Sequence, residues 1–172
     1  MSRVLIALLM FAFTLALSAC QSGDEAEKSK AQAAPVVLHA PAGSDDKEWK
    51  LYLQQVVGQN MAGVTDRVFP YYLPADSTTP TPGDPENRSQ YDRQLDNVTS
   101  ALSRTVLPGN MLVFGSPDSA KMADLIISAF SGATADALKG SQVLFIGKPE
   151  DSARVQAAAQ AVGAKYIFVE AK

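Results

Sequence analysis

The sequence predicts an α/β fold: a small three-layer domain of three mainly parallel strands flanked by helices, or four if an aromatic segment at 68–73 joins the sheet. Three observations lead there. Uninterrupted apolar runs at Met111–Phe114, Val143–Ile146 and Tyr166–Val169 suit strands buried on both faces. The stretches between them carry apolar residues at helical spacing. Finally, Phe114-Gly115-Ser116-Pro117-Asp118-Ser119-Ala120-Lys121 is echoed by Ile146-Gly147-Lys148-Pro149-Glu150-Asp151-Ser152-Ala153-Arg154, with one residue added. A repeated strand–helix unit implies a parallel sheet covered on both faces, joined by right-handed crossovers. The pattern leaves the strand order open.

Each element has its own signals. Residues 21–45 are rich in Ala, Ser, Lys, Glu and Gly, with Pro35 and Pro41. Such a composition buries too little apolar surface to offset ordering entropy, so it reads as a tether, with Val36-Val37-Leu38 as an apolar island able to dock. The first helix starts at Ser44 or Asp45, either of which can cap it. Trp49, Leu53, Val56, Val57 and Met61 recur at helical spacing, and Gly63 suits the stop. Arg67 to Leu73 is β-prone and aromatic, but Pro70 confines it to a sheet edge or an extended segment. Residues 75–88 hold Pro80, Pro82, Pro85 and Gly83 among Ser, Thr and Asp, the composition of an exposed loop.

A second helix is expected from Ser89 to Arg104, with Tyr91, Leu95, Val98, Leu102 and Val106 along one stripe and Pro108-Gly109 ending it. The third runs from Pro117 to Ser131 and buries Met122, Leu125, Ile126, Ala129 and Phe130. The fourth runs from Pro149 to Val162, with Ala153, Ala157, Ala158, Ala161 and Val162 on one face. In both repeats the glycine is expected to permit a sharp exit from the strand, and the proline to occupy the first helical position. Acidic residues then fall in the first turn, where the helix dipole favours them.

The N-terminus carries a different signal. Arg3 is followed by an apolar run from Val4 to Leu17, interrupted only by Thr14, too short and too near the start for an ordinary membrane span. Leu17-Ser18-Ala19-Cys20 then supplies small residues before the only cysteine. This pattern resembles the lipobox of bacterial lipoproteins. The resemblance covers the first twenty residues and implies a signal peptide at 1–19, a lipid on Cys20, a tether at 20–45 and a globular domain at 46–172. Because Gln21 stands where an Asp commonly favours inner-membrane retention, it also implies the outer membrane of a Gram-negative host, with the domain in the periplasm. With the only cysteine lipidated, the domain would rest on packing without disulfides.

Composition and motifs exclude several chemistries. The net charge of −3 does not favour nucleic acid, whose binding needs a basic surface. One His (His39, in the tether) and one Cys give metal binding no support, and neither a G-x-G-x-x-G nor a phosphate loop is present. Gly115-Ser116-Pro117 is not a nucleophile elbow, and no Ser–His pair forms unless the tether folds back. No catalytic residue and no cofactor is assigned. The carboxylate neighbours Asp45-Asp46 and Glu150-Asp151 are explained by helix starts.

Two candidate sites remain. Parallel sheets bind ligands at the carboxyl ends of their strands, where free helix N–H groups attract anions. Ser116, Ser119, Lys148 and Ser152 would line such a site, although Asp118, Glu150 and Asp151 would compete with an anion there. Phe69, Tyr71 and Tyr72 are aromatics suited to a partner contact, although covering the sheet edge or the first helix is the favoured reading. Three readings follow, in order. The first is a non-enzymatic envelope lipoprotein, bound to the membrane by its lipid and contacting another envelope protein. Next comes a module for a small anion or nucleotide-like ligand at loops 115–119 and 147–152. The third is an enzyme on the same crevice.

Overall fold

The computed structural model describes residues 37–104 and 106–172. Its elements are α1 (Asp46–Gln59), β1 (Val68–Tyr72), α2 (Gln90–Ser103), β2 (Met111–Gly115), α3 (Ser119–Ser131), β3 (Gln142–Gly147), α4 (Pro149–Ala161) and β4 (Lys165–Glu170). The four strands form one parallel sheet in the order β1-β2-β3-β4, in register Val68–Met111–Gln142–Lys165. The aromatic segment is therefore a fourth strand, and it lies at an edge.

Period-two alternation sorts the strand side chains onto two faces. Tyr71, Leu112, Phe114, Val143 and Phe145 face α2, α3 and α4. Met111, Val113, Leu144 and Ile146 face α1, which contributes Trp49, Tyr52, Leu53 and Val56. The result is a three-layer domain with three helices on one face and one on the other. Because β2 and β3 are buried throughout, their sequences are apolar at every position rather than alternating.

Pro70 lies where its missing N–H costs nothing. Met111 N–H donates to Arg67 O (2.8 Å) and Leu73 N–H to Gly115 O (3.3 Å). The odd residues of β1 thus bond to β2, and the even position of Pro70 points to the open edge.

Helix starts differ from the expected repeat. Asp118, not Pro117, stands at the junction of α3: it caps the helix by accepting from Lys121 N–H, so the proline precedes the cap. Pro149 does take the first turn of α4, whose cap residue Lys148 offers no capping side chain. The buried face of α4 is Asp151, Val155, Ala159 and Val162, while Ala153, Ala157 and Ala161 are exposed. Helix α1 ends at Gln59, before Met61, which is exposed; Tyr52 within it is buried.

Packing begins before the boundary expected at residue 45. Leu38 and Ala40 lie against the α1 face of the sheet, Ala40 N–H donates to Lys172 O (2.5 Å), and Trp49 Nε1–H donates to Gly43 O (2.8 Å). The proline-rich loop is built around Asp84, whose carboxylate accepts from the Glu86 and Arg88 amides and from Arg93. Cys20 and the signal peptide expected at 1–19 lie outside the described residues. Among the described residues, no helix is long and apolar enough to cross a membrane.

Candidate functional site at the carboxyl ends of the strands

Gly115 and Gly147 end β2 and β3, and neither has a positive φ. Their role is space rather than conformational freedom. A Cβ on Gly115 would lie 2.4 Å from Leu53 Cδ2, so the bare backbone lets α1 settle on the sheet. A Cβ on Gly147 would lie 2.5 Å from Phe145 Cζ and 2.6 Å from Ser119 Oγ. The second glycine therefore lets the start of α3 close on the end of β3.

The hydroxyl of Ser119 links three elements. It donates to Asp151 Oδ2 (2.6 Å) and accepts the N–H of Lys148 (2.8 Å). The other oxygen of Asp151 accepts from Arg154 Nε (3.1 Å) and Nη2 (2.7 Å). Arg154 in turn pairs with Asp124 and donates to Ala120 O, on α3. Burial alone would raise the Asp151 pKa, but the Ser119 and Arg154 hydrogen bonds, with the charges of Arg154 and Lys148, hold it below the usual carboxylate range. Asp151 is thus an anion already seated at the N-terminus of α4, where the helix dipole also favours it.

This arrangement consumes most of the candidate ligand groups. Ser116 is buried, and its Oγ accepts from Asp118 N–H (3.0 Å). Ser152 is turned away to Tyr166 Oη (3.0 Å). Ser119 and Lys148 do line a common cleft of about 650 Å³, with Trp49, Pro117, Asp118, Glu150 and Asp151. Its other wall is the 41–44 segment, so the residues expected as tether help to shape it. Three carboxylates line this cleft beside one lysine, a poor field for an anion. Among the described residues, neither serine is bonded to an imidazole, and no group of three His, Cys, Asp or Glu side chains is placed to hold a metal.

Strand order adds a second reason. Ligand crevices in open parallel sheets form where the order reverses and neighbouring crossovers leave on opposite faces. Here the order runs β1-β2-β3-β4 without reversal, and α2, α3 and α4 share one face. The Gly115 and Gly147 exits are not pulled apart; Ser119 joins them.

The aromatic segment divides. Tyr71 is buried and stacks on Phe114 at 5.0 Å. Tyr72 faces α1, donates to Asp46 Oδ1 (2.9 Å) and lies under the Lys50 ammonium (5.2 Å). Its burial, then the Asp46 carboxylate, push the phenol pKa up. Phe69 alone stays open, 36% exposed, in a groove with Arg67, Arg104 and Leu107.

Arg154 and Asp124 were not among the sequence candidates. An Asp–x–x–Arg spacing on one helix, as in Asp151 and Arg154, was the available signal, but the link to α3 has none.

No protein-family model, no curated protein and no solved structure matches this chain.

Proposed function

We propose that the chain is a lipid-anchored protein of the bacterial cell envelope, attached through Cys20 to the outer membrane, whose periplasmic domain is a non-catalytic interaction or structural component. The observation that carries the reading is the N-terminal pattern: a basic residue, an apolar run, and Leu17-Ser18-Ala19-Cys20. The chemistry of the strand ends supports the second half. The Ser119 hydroxyl is spent as both donor and acceptor, and the carboxylate it meets is spent on Arg154. Such groups hold helices together: the Ser119 proton is committed to Asp151, and Asp151 is held as an anion by Ser119 and Arg154. Phe69, flanked by Arg67 and Arg104, is the aromatic left for a protein partner.

Metabolic labelling with a fatty acid, followed by mass spectrometry of the N-terminal peptide, tests the anchor. Labelled Cys20 as the first residue is expected, with the label lost in Cys20→Ser. An intact leader or a bare thiol would overturn the reading. Fractionation of the envelope then separates outer from inner membrane.

A second reading, a small-anion module, is favoured by the cleft beside Lys148. It requires that an anion displace or bypass Asp151. Thermal stabilisation by inorganic phosphate, abolished in Lys148→Glu, would establish it in place of the first.

A further inference from the structure

We infer that the groove at the start of β1 receives an acidic segment of another protein, which seats a Leu or Phe side chain on Phe69 and carboxylates on Arg67 and Arg104. The inference rests on the reading of the chain as an interaction component and names the chemistry of its partner. The groove exists because α2 stops short of the strand it covers. Phe69 and Tyr71 share one face of β1 by alternation. Tyr71 is buried on Phe114, and the last buried residue of α2 is Leu102, one position before the helix ends. Phe69, earlier on the strand, keeps 36% of its surface open, and Leu107, 58% exposed, lines the same recess. The recess holds about 360 Å³, with Ala101, Val106 and Leu112 in its walls. Val37, Leu51 and Met61 are exposed outside it. Single exposed apolar residues need no explanation, whereas two that share a recess mark a contact site.

The groove offers a partner side chains rather than backbone. Arg67 N–H donates to Asn110 Oδ1, and Arg67 O accepts from Met111 N–H. Leu107 O accepts from Asn110 Nδ2 and Ser141 Oγ. Pro70 takes an amide from the strand edge itself, so an occupant is not held as an added strand. Charge then selects which side chains enter. The chain has a net charge of −3, yet two arginines and a single carboxylate line this groove. That carboxylate, Asp66, stands 3.9 Å from Arg67 Nε with both side chains open to water, a pairing of little strength. Arg104 makes no hydrogen bond or ion pair among the described residues. Guanidinium forks match carboxylates bidentately, and arginine beside an aromatic is the pairing that interfaces favour. Two copies meeting groove to groove would set arginine against arginine. A bilayer takes apolar side chains that protrude, and these line a recess.

The test is selection of a display library of short random peptides on the full-length chain, followed by affinity measurement of the strongest peptide. We expect Asp or Glu on both sides of a Leu or Phe, and binding that weakens as salt is added. Arg67→Glu with Arg104→Glu should weaken that peptide by at least about tenfold and, used as bait, should turn the selection toward Lys and Arg. Leu107→Ser leaves both charges in place and should weaken binding several-fold. These positions are exposed, and an unchanged melting temperature shows that the fold is kept. An empty selection, selected peptides without acidic residues, or affinity unmoved by the double charge reversal would overturn the inference. Displacement of the peptide by phosphatidylglycerol vesicles and not by phosphatidylcholine vesicles would assign the groove to a lipid headgroup and overturn it too. So would an apparent affinity that falls as the chain is concentrated, the mark of a second copy in the groove. Labelled Cys20 with an empty selection leaves the anchor standing and removes the groove; an acidic selection without the label does the reverse.

Discussion

Ser119 Oγ lies 2.6 Å from Asp151 Oδ2 and binds the N-termini of α3 and α4 into one unit. Removing the hydroxyl strands a buried carboxylate oxygen and the Lys148 amide together. Ser119→Ala should therefore cost about 2 kcal/mol of unfolding free energy, well above an ordinary surface change. Urea denaturation of the wild type and the variant measures it. A loss no greater than that of an exposed serine such as Ser128→Ala would show that the link is not structural.

Acid should weaken the domain through three carboxylates. Asp84, Asp92 and Asp151 all sit below the ordinary value of 3.8, held by the Glu86 and Arg88 amides, by Ser89, and by Ser119 with Arg154 respectively. A depressed folded pKa contributes stability that is present above the unfolded value and is lost as pH falls through the folded one. Melting temperature should hold down to about pH 4 and then drop. Asp151→Asn should lower the plateau and flatten the drop.

Alkali acts through the phenols. Burial raises Tyr52, Tyr71, Tyr72 and Tyr166 above the ordinary 10.0, with Asp46 adding to Tyr72. Their contribution is complete below the unfolded value and is lost as pH rises through the folded ones. Spectrophotometric titration should find these tyrosines ionising late, together with unfolding. Normal, reversible ionisation of all of them near 10 would contradict the burial described.

Leu53 and Gly115 should behave as a coupled pair, since a Cβ at position 115 needs the space that the leucine fills. Leu53→Ala should cost about 3 kcal/mol through its cavity, and Gly115→Ala about 1–3 kcal/mol through overpacking. The double variant should cost less than the sum, because the new methyl enters the vacated space. Simple additivity would place α1 elsewhere.

Inorganic phosphate should leave the melting temperature of the wild type unchanged at millimolar concentration. The cleft beside Lys148 carries Asp118, Glu150 and Asp151, and the last is fixed in place by Arg154. A phosphate-dependent rise that vanished in Lys148→Glu would overturn this expectation.

How far the sequence could be read follows from what each residue type signals. β2, β3 and α3 are built of Leu, Ile, Val, Phe and Met, whose burial is rarely ambiguous, and they lie where the apolar pattern puts them. Helix α4 is written largely in alanine, which suits either face. Its burial phase is carried by Val155 and by the charged Asp151; of the face expected from the alanines, Ala158 and Val162 pack on the core, while Ala153, Ala157 and Ala161 are exposed. The two strand-end glycines invited a conformational explanation, whereas Leu53 and Ser119, remote in sequence, supply the spatial one. Asp151 could be seen as a helix-start residue, but its partner Ser119 lies thirty-two positions away. Strand order had no local signal, and with it went the test of whether the sheet holds a crevice.

The hydrogen bond from Ala40 to Lys172 brings the two ends of the described domain together. A fold whose ends meet can be relinked head to tail and reopened at a surface turn, or spliced as a cassette into a loop of another protein. Anything fused after Lys172 would likewise emerge beside Ala40.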